Sequence, residues 1–209
     1  MRVLREGPTR RRGGCLHPPS NTSAKLTALS RVCADGNSSS KETGQVDMDS
    51  IDLLVAQHRT MENLLRRVLD VSDVAAKTAL FQEAADELTT HLSAEELLFY
   101  PAVKARRTED ILLESLEEHL SLKRLIADLL ALAPSERTFE AKFKVLKEQA
   151  EHHHKEEEEH LFPKVRTLLD ASEREELGSE MLAHQEQLRQ EGEPRANVLH
   201  DTAAAARLD

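Results

Sequence analysis

A chain of 209 residues with 39% hydrophobic residues holds one ordinary domain with a real core and leaves little room for a second. The formal charge of −10 divides unevenly: residues 1–47 carry 8 Lys+Arg against 4 Asp+Glu, leaving 20 against 34 for residues 48–209. An acidic body with 3% aromatics argues against a nucleic-acid partner, and no apolar run approaches the roughly 18–20 residues that would cross a bilayer.

Residues 1–47 hold five of the seven glycines, three of the seven prolines and both cysteines, Cys15 and Cys33, with no sustained hydrophobic period. That composition predicts a disordered leader, with a translation start at Met48 as the alternative account. Arg10, Arg11 and Arg12 are followed by no apolar stretch of the kind an export signal needs, so the expected location is cytoplasmic. The body has no thiol, and any metal there must be held by histidine and carboxylate.

From Met48 to Leu177 there is no glycine, and the residues are those of long helices. The spacing predicts a first helix capped by Asp49 or Ser50, with Ile51, Leu54, His58, Met61, Leu65 and Val68 along one seam. A second, after Ser72-Asp73, carries Leu80, Ala84, Leu88, His91, Glu95, Leu98 and Ala102. A third opens at Thr108 and turns Leu112, Leu116, His119, Leu122, Ile126 and Leu129 inward, with Glu109 and Asp110 suiting the dipole of its first turn. After Ala133-Pro134-Ser135 a fourth carries Phe139, Phe143, Leu146, Ala150, His153, Glu157 and Leu161. The expected fold is all-α, an up-down-up-down four-helix bundle over residues 48–170. Residues 171–209 read as a short additional helix, begun by a Ser172/Glu175 capping box and carrying Leu177, Met181 and Leu188, followed by a tail.

Every seam turns polar at mid-length. His91 and Glu95, like His153 and Glu157, are four apart and share a helix face. The sequence HLSAEELLFYP recurs as HHKEEEEHLFP at an offset of 62, and the lone His58 and His119 repeat at 61, so the body is two copies of one helix pair. A single histidine on an apolar stripe is ordinarily a satisfied core residue. Four imidazoles and two carboxylates buried together without partners would cost several kcal/mol each, comparable in sum to the roughly 5–15 kcal/mol that holds a domain together. A metal offsets that cost and accounts for the spacing; sulfur-free N/O ligation suits paired iron or manganese, with zinc below them.

His152, His154, Glu156 and Glu159 are expected in solvent. Glu96 and Glu158 would need a distorted helix to reach a metal, and His160 is a candidate extra ligand or outer partner. Pro101 and Pro163 read as kinks or helix ends.

The lone His58 and His119, the two His-x-x-x-Glu pairs and the FYP and LFP endings resemble the hemerythrin-like, HHE cation-binding domain over roughly residues 50–170. The resemblance implies a bundle holding two non-haem iron ions, ligated by His58, His91, Glu95, His119, His153 and Glu157, that meets dioxygen or related small oxidants. It leaves open a binder or sensor of dioxygen, peroxide or nitric oxide, a di-metal oxidase or peroxide-decomposing enzyme, and an iron store. The pattern departs from true hemerythrins at Lys123, four residues after His119, where they have histidine, and in the spacing of the last pair.

Overall fold

The computed structural model describes residues 48–105, 107–202 and 208; the expected leader, 1–47, lies outside them. Helix α1 spans Ser50–Asp70, its first turn capped by Asp49, whose carboxylate accepts from the Ile51 N–H at 2.9 Å. Helix α2, Val74–Ala94, is capped by Asp73 and runs through a π turn, Glu95–Phe99, into α3, Tyr100–Val103. Helix α4 is Glu109–Leu130, and α5, Arg137–Glu156, runs through a second π turn, Glu157–Leu161, into α6, Phe162–Leu168. Short connections fold these into the expected bundle, and no strand occurs among the described residues.

The two π turns fall at equivalent places in the repeat, and the prolines explain them. A proline ring inside a helix clashes with the carbonyl four residues back and brings no N–H. Widening the turn just before Pro101 and Pro163 moves that carbonyl away, and the Tyr100 and Phe162 N–H groups reach back to the Glu95 and Glu157 carbonyls instead. The extra residue per turn also changes which side chains face inward. Phe99, Tyr100 and Val103 are buried where an unbroken α-period puts Leu98 and Ala102; Leu98 is half-buried and Ala102 exposed. At the other end of α2, Phe81 occupies the core in place of the half-buried Leu80.

Helix α7, Ala171–Glu191, corrects the expected short appendage: its 21 residues match α1 in length. Its capping box is Asp170 with Glu173, two residues before Ser172/Glu175, because Asp170 takes the extended cap conformation and accepts from the Glu173 N–H. A 3₁₀ turn, Pro194–Asn197, and the short α8, Val198–Asp201, follow. Helix α7 packs on α1 and α2. Gly178 makes the close approach possible, since a Cβ there would meet the Met48 carbonyl oxygen at 2.0 Å. Gly178→Ala should therefore destabilise the fold by about 1–3 kcal/mol, read as a lowered urea midpoint; an unchanged midpoint would place α7 differently.

The apolar core is in two parts. One gathers Met61, Leu65, Leu88, Ile126, Phe139 and Phe143; the other gathers Leu54, Phe99, Leu112, Leu116, Phe162 and Met181. Between them lies a layer of buried polar residues, to which α1, α2, α4 and α5, with the π turns that follow α2 and α5, contribute.

Candidate metal centre

All six residues expected from the repeat, His58, His91, Glu95, His119, His153 and Glu157, meet in this layer and are at most 1% exposed. The glutamates tie the two halves together. Glu95 Oε2 lies 3.3 Å from His91 Nε2 and 3.4 Å from His119 Nε2, while Glu157 Oε2 lies 3.4 Å from His58 Nε2 and 3.6 Å from His153 Nε2. Each carboxylate thus faces one imidazole of each half.

The outward nitrogens of all four rings are engaged. His58 Nδ1 donates to Glu158 at 2.9 Å, His119 Nδ1 to Glu96 at 3.0 Å, His91 Nδ1 to Gln57 at 3.0 Å and His153 Nδ1 to Glu118 at 2.8 Å. Glu158 also accepts from Arg59, and Glu96 from Lys123 at 2.7 Å. Glu96 and Glu158 therefore reach the site through histidine, each gripping the lone imidazole of the other half. A neutral imidazole that donates from Nδ1 presents a bare lone pair at Nε2, so four lone pairs and two carboxylates converge on the interior.

Among the described residues one donor faces them: the buried Tyr100 hydroxyl, which donates to Glu157 Oε1 at 2.9 Å and lies 2.9 Å from His119 Nε2. With that proton committed, His119 Nε2 and His153 Nε2 sit lone pair to lone pair at 2.9 Å. His58 Nε2, His91 Nε2, both Glu95 oxygens and Glu157 Oε2 have no hydrogen-bond partner among the described residues. Such a set of acceptors is stable only around cations or shared protons. The residues fit a metal.

Without metal, protons take that role, and the two carboxylates diverge. Burial, with Glu157 alongside, holds the Glu95 carboxyl well above the ordinary range. Burial pushes Glu157 the same way, but His153 and His58 outweigh it and hold its carboxyl well below. Burial and the neighbouring His58 push His91 well down, and burial lowers His119 against the pull of Glu96. Burial opposes protonation of His153 too, yet Glu157 and Glu118 raise it. Burial raises the Tyr100 phenol well up, helped by Glu157 and Glu95.

His154 corrects the expectation of a solvated ring. It is 1% exposed, stacked on His58 with centroids 4.0 Å apart and planes 7° from parallel, and neither of its nitrogens has a partner among the described residues. Nitrogens of His58, His91 and His154 come within 4.8 Å of one another. A parallel stack, however, puts the two rings in separate planes, so an ion in the plane of His58 is out of the plane of His154. His154 packs against the centre as arranged here. His160 is exposed and paired with Glu156 at 3.1 Å, outside the cluster, and His152 is exposed as expected. Helix α7 reaches the layer through Gln185, whose amide exchanges hydrogen bonds of 2.7 and 3.1 Å with that of Gln57. A cavity of about 130 Å³ between Gln57, Met61, Thr90 and His91, rimmed by Glu87 and Arg189, approaches His91 from outside.

The donor groups fall into His58, His91, Glu95 and Glu157 on one side and Glu95, His119 and His153 on the other. Residues 49–144 match the family model of the hemerythrin HHE cation binding domain. Over that stretch the chain is hemerythrin-like. It is similar to the crystal structure of a hemerythrin HHE cation binding domain-containing protein from Mycobacterium kansasii, at 26% identity and a TM-score of 0.60, covering 77% of this chain and 95% of that one. It is also 26% identical over 157 residues to a DNA nickase from Nostoc sp., across 75% of this chain; the chain spans 45% of that relative's length. The HHE domain implies metal binding, and the buried His/Glu clusters can hold a metal.

Proposed function

We propose that this protein holds two non-haem iron ions and binds or senses dioxygen, peroxide or nitric oxide. The observation that carries the reading is the acceptor-only interior, with four inward Nε2 lone pairs and two carboxylates each facing both halves. His58 and His91 would hold one ion and His119 and His153 the other, with Glu95 and Glu157 shared. Iron so held supplies one-electron chemistry toward a small oxidant. Oxygen and nitrogen donors without sulfur favour iron or manganese, with zinc ranking lower. The protein's own part is to keep the imidazoles oriented through their outer partners, to exclude bulk water with the two apolar cores, and to offer the Tyr100 hydroxyl as a hydrogen-bond donor beside Glu157.

A peroxide-decomposing or oxidase role of the same centre stands as the second reading, and turnover assays separate it from simple binding. No helix among the described residues is long and apolar enough to cross a membrane, and we place the protein in the cytoplasm. Nicking belongs to a relative of which this chain spans 45%, and the acidic body of this chain opposes a phosphate backbone. Supercoiled plasmid is expected to survive incubation with it intact.

Metal content and the absorption spectrum, taken anaerobically and again after air, peroxide and nitric oxide, test the proposal. About two irons per chain and a spectrum that changes on exposure are expected. A metal-free chain, or iron whose spectrum none of the three alters, overturns it.

A further inference from the structure

The repeat makes the two ion positions close to equivalent, and the departures from equivalence are few. Glu95 and Glu157 each face one imidazole from either half. The lone histidines have matched outer partners: Glu158 beside Arg59 for His58, and Glu96 beside Lys123 for His119. The paired histidines do not. His91 Nδ1 donates to the neutral amide of Gln57, and His153 Nδ1 to the carboxylate of Glu118, although Gln57 and Glu118 occupy the same position of the repeat, one residue before the lone histidine.

Helix α7 explains how the difference is sustained. It covers the outer face of α1 and α2, burying Gln185 against Gln57 so that the two amides satisfy each other. A carboxylate at position 57 would sit under that helix. Glu118 is 27% exposed, with the exposed His152 nearby, so water supports its charge.

An anion behind an imidazole orients the ring and raises its basicity as a ligand more than an amide does, and changes in such outer partners typically alter metal affinity about 10–100-fold. We propose that the two positions load in a fixed order, the His119–His153 position first and the His58–His91 position second, because Glu118 stands where the other half has Gln57. Glu118 and Gln57 are positioning residues, acting through His153 and His91. The proposal rests on the di-metal reading above. The donor groups also divide unevenly, Glu157 falling with His58 and His91 only, and two substitutions accompany this: Tyr100 where the second half has Phe162, and His154 where the first half has Leu92. Neither touches Nδ1 of a paired histidine.

The test is an anaerobic titration of the metal-stripped full chain with Co(II), read by calorimetry and by visible absorption. The unaltered chain should bind in two resolved steps. Glu118→Gln should weaken the tight step about 10–100-fold and bring the two together, Glu118→Asp should keep them apart, and Gln57→Glu should tighten the weak step. His153→Ala should remove the tight step, and His91→Ala the weak one. Glu118→Gln with both steps unchanged overturns the order, as does His153→Ala with the tight step intact. Should Glu118→Gln lose its helical circular dichroism, Gln57→Glu and the two histidine variants decide in its place. A chain that takes up no Co(II) refutes the di-metal reading itself, whereas two ions bound in one indistinguishable step refute only the loading order.

Discussion

Replacing Glu157 with alanine is expected to take the metal content from about two ions per chain to well below one, and replacing Glu95 should do the same. Each carboxylate lies between an imidazole of one half and an imidazole of the other, at 3.3–3.6 Å. Its loss removes negative charge from between two cations, and in a buried site of low effective dielectric their mutual repulsion is then poorly opposed. Either change should therefore empty both positions. Glu156→Ala and Glu159→Ala, on the same stretch of chain but outside the polar layer, should leave metal content unchanged and alter stability by less than about 0.5 kcal/mol. His58→Ala should be milder than Glu157→Ala, because a terminal ligand can be replaced by water. Metal per chain for these variants, measured side by side, checks the assignment. Equal content near two in Glu156→Ala, Glu159→Ala and Glu157→Ala would overturn the placement of Glu157 between the two ions.

The centre was legible in the sequence because both periods involved are simple. The four-residue step from His91 to Glu95 survives unaltered, and the π turns begin only at the glutamates, so the α-helical face is correct up to the site; beyond it Leu161 is buried as expected, whereas Leu98 and Ala102 are not. Leu98 and Ala102 were misplaced for that reason, and the signal was present in Pro101 and Pro163, each six residues past its glutamate. His154 was also readable. On the helical wheel it stands about 100° from His153, but its partner in the repeat is Leu92, a fully buried leucine, and equivalence to an apolar position marks an inward one. The outer ring was harder. Gln57, Glu96, Glu118 and Glu158 have the look of ordinary surface residues, and only the close approach of other helices makes them partners of histidine. Helix α7 was underestimated because its buried stripe, Leu177, Met181 and Gln185, ends in an amide, and because Gly178, usually a helix weakener, serves here to let two backbones meet.

Glu95→Gln and Glu157→Gln should both lose metal, yet they should move the stability of the metal-free protein in opposite directions. Glu95 has its folded pKa raised, so below the ordinary carboxylate range it costs nothing, and the cost appears as pH rises through that range toward the folded value. At neutral pH a glutamine relieves this, and its amide brings two donors into a cavity crowded with acceptors. Glu157 is the reverse case. Its folded pKa is depressed by His153 and His58, so its contribution is full above the ordinary carboxylate range and is lost as pH falls through that range toward the folded value. Glutamine at 157 gives up the anion that accepts from Tyr100 and faces His153. Stripped of metal at pH 7, Glu95→Gln is therefore expected to melt above the unaltered chain and Glu157→Gln below it. Each shift corresponds to about 1–3 kcal/mol, at roughly 2–4 °C per kcal/mol for a chain of this size. Between pH 7 and pH 5 the metal-free unaltered chain should narrow its gap to Glu95→Gln, because the cost of the raised pKa shrinks as pH falls toward the ordinary carboxylate range. Thermal melts of the three stripped proteins at both pH values check this, and equal shifts of one sign would mean that the two halves hold their carboxylates alike.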